Sequence, residues 1–166
     1  MGHLVKIFQE RMERRRIIRE NKDLCERYPF LIPWNRWSGD PVPDYNYSYT
    51  ELDIMPEGWR RAFGLRMCED LRNALIDDND LYRWRIVQLK EKYGELCLYY
   101  NGHKTGSTVP MIIDRYAKLS MRICIQCGAP ATRMTTGWVS PYCEKCCPNE
   151  RSVPIDEYFK EDETIG

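Results

Sequence analysis

The sequence is poor in the residues from which hydrolytic and proton-transfer sites are usually built. It holds two histidines in 166 residues: His3 at the N-terminal end and His103 in a glycine-rich loop. No Ser-His-Asp order, phosphate-cradling glycine loop or HExxH helix is present. Long apolar runs are missing as well. None approaches the ~20 residues that span a bilayer, and the N-terminal stretch has neither the unbroken apolar segment nor the small-residue cleavage site of a secretory signal. These absences predict a protein that makes no membrane contact and resides in a reducing cytoplasm. Net charge is lacking too, with 25 Lys plus Arg against 25 Asp plus Glu. That balance argues mildly against a general nucleic-acid binder, whose affinity comes mostly from phosphate neutralisation. There is no internal repeat and no low-complexity tract.

What the chain does have is aromatic surface and cysteine. Five Trp and eleven Tyr supply side chains with large buried area and one polar tip, suited to cores and to binding surfaces. Charge is uneven: residues 1–22 carry seven bases against three acids, and residues 150–166 carry six acids against Arg151 and Lys160. The two ends are therefore placed to attract each other.

Hydrophobic period predicts an α+β fold, with helices packed on a small antiparallel hairpin or sheet and a zinc ribbon near the C-terminus. Residues 3–27 read as a helix in which Leu4, Val5, Phe8, Met12, Ile17, Ile18, Leu24 and Cys25 fall roughly on one stripe. The plain account is a packing helix with a solvated basic face; the other is a partner- or nucleic-acid-binding arm. Residues 28–58 hold Pro29, Pro33, Pro41, Pro43 and Pro56, which forbid long regular elements. Between these prolines lie Trp34, Arg36, Trp37, Tyr45, Tyr47 and Tyr49, either as an ordered segment covering the core or as a recognition surface that stacks on a base or fills a partner's pocket.

A helix over 56–77 is the clearest element, since Trp59, Phe63, Met67, Leu71 and Leu75 recur every fourth residue, with Asp53 as a nearby cap. Residues 82–100 switch to period two, with Trp84, Ile86, Val87 and Leu89 in one strand and Leu96, Leu98 and Tyr100 in the next. Gly94 supplies the positive φ for the turn between them. A third helix, capped by Ser107 or Thr108 and running to about residue 120, presents Val109, Ile112, Ile113, Tyr116 and Leu119 inward. The expected organisation is a body over 1–121, a ribbon over 122–148 and an acidic tail over 149–166.

The chemistry-bearing motif is Cys124-Ile125-Gln126-Cys127-Gly128 followed, after fifteen intervening residues, by Cys143-Glu144-Lys145-Cys146. Zn2+ takes four soft ligands in a tetrahedron, and each CxxC turn delivers two sulfurs to one side of it. Four thiolates leave no open coordination position, so the ion is structural. Cys147 adjoins Cys146 and competes with it for the fourth place. Redox chemistry is the alternative, although a redox CxxC needs one pair and not two. Cys25, Cys68 and Cys97 fall in apolar patterns as packing residues. Lys90, Glu91 and Lys92 at the hairpin, with His103, could share a polar acid–base cleft or simply form a solvated turn.

The run Val87-Gln88-Leu89-Lys90-Glu91-Lys92-Tyr93-Gly94-Glu95-Leu96, then Tyr99-Tyr100, Ser120, the Cys-x-x-Cys-Gly knuckle, Gly137-Trp138 and the second cysteine pair resemble a family of small, uncharacterised zinc-ribbon proteins of bacteria and their phages or prophages. Tyr28-Pro29-Phe30-Leu31 and Pro56-Glu57-Gly58-Trp59 extend the likeness to residues 28–146. The sequence departs from that pattern at Cys97, where many such proteins carry a basic residue, and some of them have His for the last Cys. The resemblance implies a zinc-bearing α+β unit in a bacterial or host-cell cytoplasm and no particular activity. Three functions follow as expectations. The first is a non-enzymatic binding protein for a macromolecular partner, such as a host protein of antiviral defence. The second is a nucleic-acid or nucleotide binder using the aromatics with Arg36, Arg60, Arg61 and Arg14–Arg16. The third is an enzyme using Lys90, Glu91, Lys92 and His103. Lys90 and Lys92 join the candidate binding surface in any of these readings.

Overall fold

The strongest pattern in the sequence becomes the centre of the structure. In a computed structural model that describes residues 2–35, 38–148 and 151–163, Trp59, Phe63, Met67, Leu71 and Leu75 are all buried. They line one face of a helical run made of α2 (Glu57–Trp59), a π-helical turn (Arg60–Gly64) and α3 (Leu65–Asp77). Asp53 does not cap this run directly. It closes a capping box on the preceding 3-10 turn, Glu51–Ile54, by accepting the Thr50 amide at 2.7 Å, and reaches the helix through its ion pair with Arg60.

Alternation of side chains produces the hairpin. Strands β1 (Ile86–Lys92) and β2 (Glu95–Tyr100) pair antiparallel with Lys92 opposite Glu95. The two-residue turn between them has positive φ at both Tyr93 and Gly94, the pattern of a type I′ turn, whose twist matches that of the strands. Leu89, Leu96 and Leu98 point into the core. Trp84, expected within the strand, lies just before it and packs edge-on against Phe30, with ring centroids 5.3 Å apart. Helix α4 (Val109–Ser120) covers the hairpin, and the Ser120 hydroxyl accepts the Leu96 amide at 2.8 Å. Ser107 supplies the capping oxygen, taking the Val109 amide at 3.1 Å. The inward stripe on α4 is narrower than its period suggests: Val109 and Tyr116 are buried, Ile112 and Ile113 half-buried, and Leu119 exposed.

The C-terminal third forms a second sheet in the order β4-β3-β5, from Arg133–Thr135 (β3), Pro141–Tyr142 (β4) and Ser152–Pro154 (β5). Residues 152–154, expected in an acidic tail, thus pair with β3. Helix α5 (Ile155–Glu163) follows. It is held by an Asp156–Arg122 ion pair at 3.3 Å and by the Arg122 guanidinium over the Phe159 ring. The acidic end therefore docks beside the ribbon, while among the described residues the ion pairs of α1 (Gly2–Arg27) lie within that helix or run from Arg27 to Glu69.

The expected core stripe of α1 is corrected by its exposure. Val5, Phe8, Met12 and Ile17 face solvent, and burial sets in towards the end of the helix, with Ile18 and Leu24 half-buried and Asn21 and Cys25 buried. Along α1, Arg16 pairs with Glu13 and Glu20, and in the first turns Val5, Phe8 and Met12 stay exposed among the described residues. Among the described residues no helix is long and apolar enough to cross a membrane.

Candidate metal centre and the cleft beside it

Gly128, with φ of +82°, turns the chain back so that its own amide bonds the Cys124 carbonyl at 3.0 Å and the Cys124 amide bonds Ala129 at 2.7 Å. The second pair forms a similar knuckle, with the Cys146 and Cys147 amides both reaching the Cys143 carbonyl at 3.1 and 3.0 Å. Together the two knuckles gather one sulfur from each of Cys124, Cys127, Cys143 and Cys146, all within 4.8 Å of one another. The Cys127 and Cys143 sulfurs lie 3.6 Å apart. A tetrahedral Zn–S bond of about 2.3 Å implies S···S edges of about 3.8 Å, so the donors fit a metal ion of that size and softness.

Cys147 turns away from the cluster, its thiol 3.6 Å from the Ser152 hydroxyl. Burial raises the Cys143 thiol, but the Cys146 backbone amide and the thiols of Cys127, Cys146 and Cys124 outweigh it and bring it down to about 7. The bond to Cys143, more than any other contact, pushes Cys146 up to about 12. Soft-metal binding takes cysteine in its thiolate form, and the lowered Cys143 thiol lies in that direction.

The first knuckle is bolted to the body through α2. The Gly58 amide donates to the Ile125 carbonyl at 3.0 Å, and the Trp59 indole N–H to the Ile123 carbonyl at 2.9 Å. The ribbon is thus seated on the start of the core helical run. Sequence reasoning missed Gly58; its only signal was a glycine in the first helical turn, where glycine has no helix-forming merit.

The same seating brings the ribbon loop to the hairpin turn. A β-carbon on Gly94 would stand 3.3 Å from Val139 Cγ1, and Glu91, Lys92, Tyr93, Gly137, Trp138 and Val139 enclose an apolar cleft of about 310 Å3. Its two aromatics are open to solvent, Trp138 at 78% and Tyr93 at 73%. Trp138 is nevertheless fixed at its backbone, because the buried Thr135 hydroxyl donates to the Trp138 carbonyl at 2.5 Å and accepts the Ser140 amide at 2.9 Å. Tyr93 occupies the left-handed region, φ +53°, which costs an L-residue about 1–2 kcal/mol. Neither residue was singled out for binding from the sequence, because exposure depends on where the ribbon docks.

The surface expected over residues 28–58 is mostly covered. The Arg85 guanidinium lies 3.4 Å from the centre of the Trp34 ring. Tyr45 bonds the Tyr49 carbonyl, faces Cys25 at 3.8 Å and has its hydroxyl pKa raised by burial. Tyr47 gives its carbonyl to Asn21 at 2.9 Å. These tyrosines staple the segment to α1, and Tyr49 alone of the three is exposed. Arg36 and Trp37 lie outside the described residues.

Lys90 and Lys92 project from the outer hairpin face over Tyr99 and Tyr93, at 5.1 and 5.6 Å. Glu91, one residue out of phase, turns the other way and accepts the Gly94 amide at 2.6 Å. His103 meets the Tyr100 hydroxyl at 3.1 Å, beyond the end of the hairpin opposite to Lys92. The four residues of the acid–base reading are therefore not brought into one cleft. No family model, curated protein or solved structure matches the chain.

Proposed function

We propose that this is a non-enzymatic binding protein in which a structural zinc ion holds the ribbon so that Trp138 and Tyr93 present one recognition surface to a macromolecular partner. The observation that carries the reading is the pair of exposed aromatics on rigid backbone around a common apolar cleft. Trp and Tyr dominate binding energy at protein interfaces because they bury large area for little side-chain entropy. Backbone strain at Tyr93 points the same way, since strained residues persist where function uses them. Placing the partner in a host cell, as a component of antiviral defence, rests on the motif resemblance to bacterial and phage proteins alone. Residence in the cytoplasm is supported by the same resemblance and by the paired CxxC cysteines, which suit a reducing compartment.

A nucleic-acid or nucleotide reading has one observation in its favour, the interleaving of Lys90 and Lys92 with Tyr99 and Tyr93, which is a stacking-and-phosphate arrangement. Affinity capture from host lysate separates the readings. The wild-type protein should retain a specific protein that Trp138→Ala and Tyr93→Ala both lose. Capture of nothing specific, together with a shift of labelled single-stranded DNA or RNA at low salt, would replace the first reading with the second.

A further inference from the structure

Helix α1 is 26 residues long, about 39 Å at 1.5 Å per residue, yet its tertiary hydrogen bonds begin at Asn21. Before it, Arg16 bonds Glu13 and Glu20 within the helix itself. A helix in a protein owes most of its stability to packing of its apolar face, yet the first turns of this one leave three apolar side chains to solvent: Val5 at 55%, Phe8 at 64% and Met12 at 50% exposed.

Their spacing of three and four places them on one face, at i, i+3 and i+7. At 3.6 residues per turn that face lies roughly half a turn round the helix from Asn21 and Cys25, which meet the body. The stripe cannot close onto the rest of the chain while the helix end stays seated. Arg15 and Arg19 continue the same line, and among the described residues no carboxylate pairs with either, nor with Arg11 or Arg14.

Charge decides what fits. Two copies joined stripe to stripe set Arg15 and Arg19 against themselves if parallel, or past the end of the stripe if antiparallel, with no acid in reach. Three apolar side chains make a narrower face than a membrane-surface helix uses, and a phosphate backbone has no use for exposed Phe8 and Met12. We infer that the first five turns of α1 are a docking arm, with Val5, Phe8 and Met12 filling an apolar groove on a partner protein and Arg15 and Arg19 meeting carboxylates on its rim.

The test uses the full-length protein and a fluorescein-labelled, acidic amphipathic helical peptide, with Leu at i, i+3 and i+7 and Glu on both flanks. Fluorescence anisotropy should show saturable binding that weakens at least tenfold both in the double variant Phe8→Ser, Met12→Ser and in Arg15→Glu, Arg19→Glu. The thermal midpoint of both variants should match wild type, since all four side chains are exposed. Amide exchange over residues 2–16 should slow on binding, and Trp138→Ala should leave affinity unchanged, which separates this arm from the cleft. No saturable binding, binding indifferent to both double variants, or tighter binding of phosphatidylserine vesicles or duplex DNA through the same residues would overturn the inference.

Discussion

Gly58 and Cys124 are in such close backbone contact that no side chain can stand between them. A β-carbon at position 58 would meet the Cys124 carbonyl oxygen and lie 2.6 Å from that of Ile125, and one on Gly128 would fall 2.7 Å from the Gly58 carbonyl. The metal knuckle and the start of the core helix are therefore one joint. What the ribbon presents depends on that joint.

Gly58→Ala should destabilise the protein by about 2–3 kcal/mol, as for other substitutions that overfill a packed contact, and should raise amide exchange in β3 and β4 ahead of α3. Gly137→Ala is the control: nothing lies within 4 Å of its added methyl, so chemical denaturation should show no change. Equal effects of the two substitutions would mean that the joint carries no energy.

Removing a ligand should act on folding through the metal. Cys124→Ser or Cys143→Ser is expected to lose the ion and unfold at least the C-terminal third, because structural zinc binding contributes on the order of 10 kcal/mol in small domains. Cys147→Ser should keep full metal content, since its thiol faces Ser152. Metal analysis of the three variants checks both statements.

Tyr93→Asn separates stability from recognition. Asn tolerates the left-handed region and makes Asn-Gly, the favoured type I′ pair. Stability should rise by about 0.5–1 kcal/mol while partner capture weakens. A loss of stability would show that the Tyr93 ring serves the fold rather than a partner.

Alkaline pH should weaken the core in a definite window. Burial, followed by the hydrogen bond to Glu69, pushes the Tyr28 hydroxyl up to about 12; burial, followed by the bond to Asp70, does the same for Tyr116. Both groups are held neutral in the fold, so their contribution is complete below pH ~10, where unfolded tyrosine titrates. It falls as pH rises from there through about 12. Denaturation midpoints should decline across that range, and Tyr28→Phe should reduce the decline.

Much of the fold was legible because its signals are local. The five-residue stripe of Trp59 to Leu75 could only be a buried helix face, and alternation around Gly94 could only be a hairpin. The cysteine spacing likewise carried the metal cluster, since two knuckles and a hairpin close on one point whatever surrounds them. Contacts between distant segments were not legible. Val5, Phe8 and Met12 read as core because period reports that a face is apolar, not that anything covers it. For Trp34, Tyr45 and Tyr47 the sequence left covering segment and recognition surface both open, because nothing local announces Arg85 over an indole or α1 against a loop. Trp138 looked like any turn-flanking aromatic until the ribbon was seated on Gly58.

The most direct test is the metal content of the purified full-length protein, measured by mass spectrometry under native conditions and again after acid denaturation. The account predicts one zinc ion per native chain and a mass fall of one zinc on denaturation. A native mass equal to that of the bare polypeptide, with β3 and β4 still protected from exchange, would contradict it.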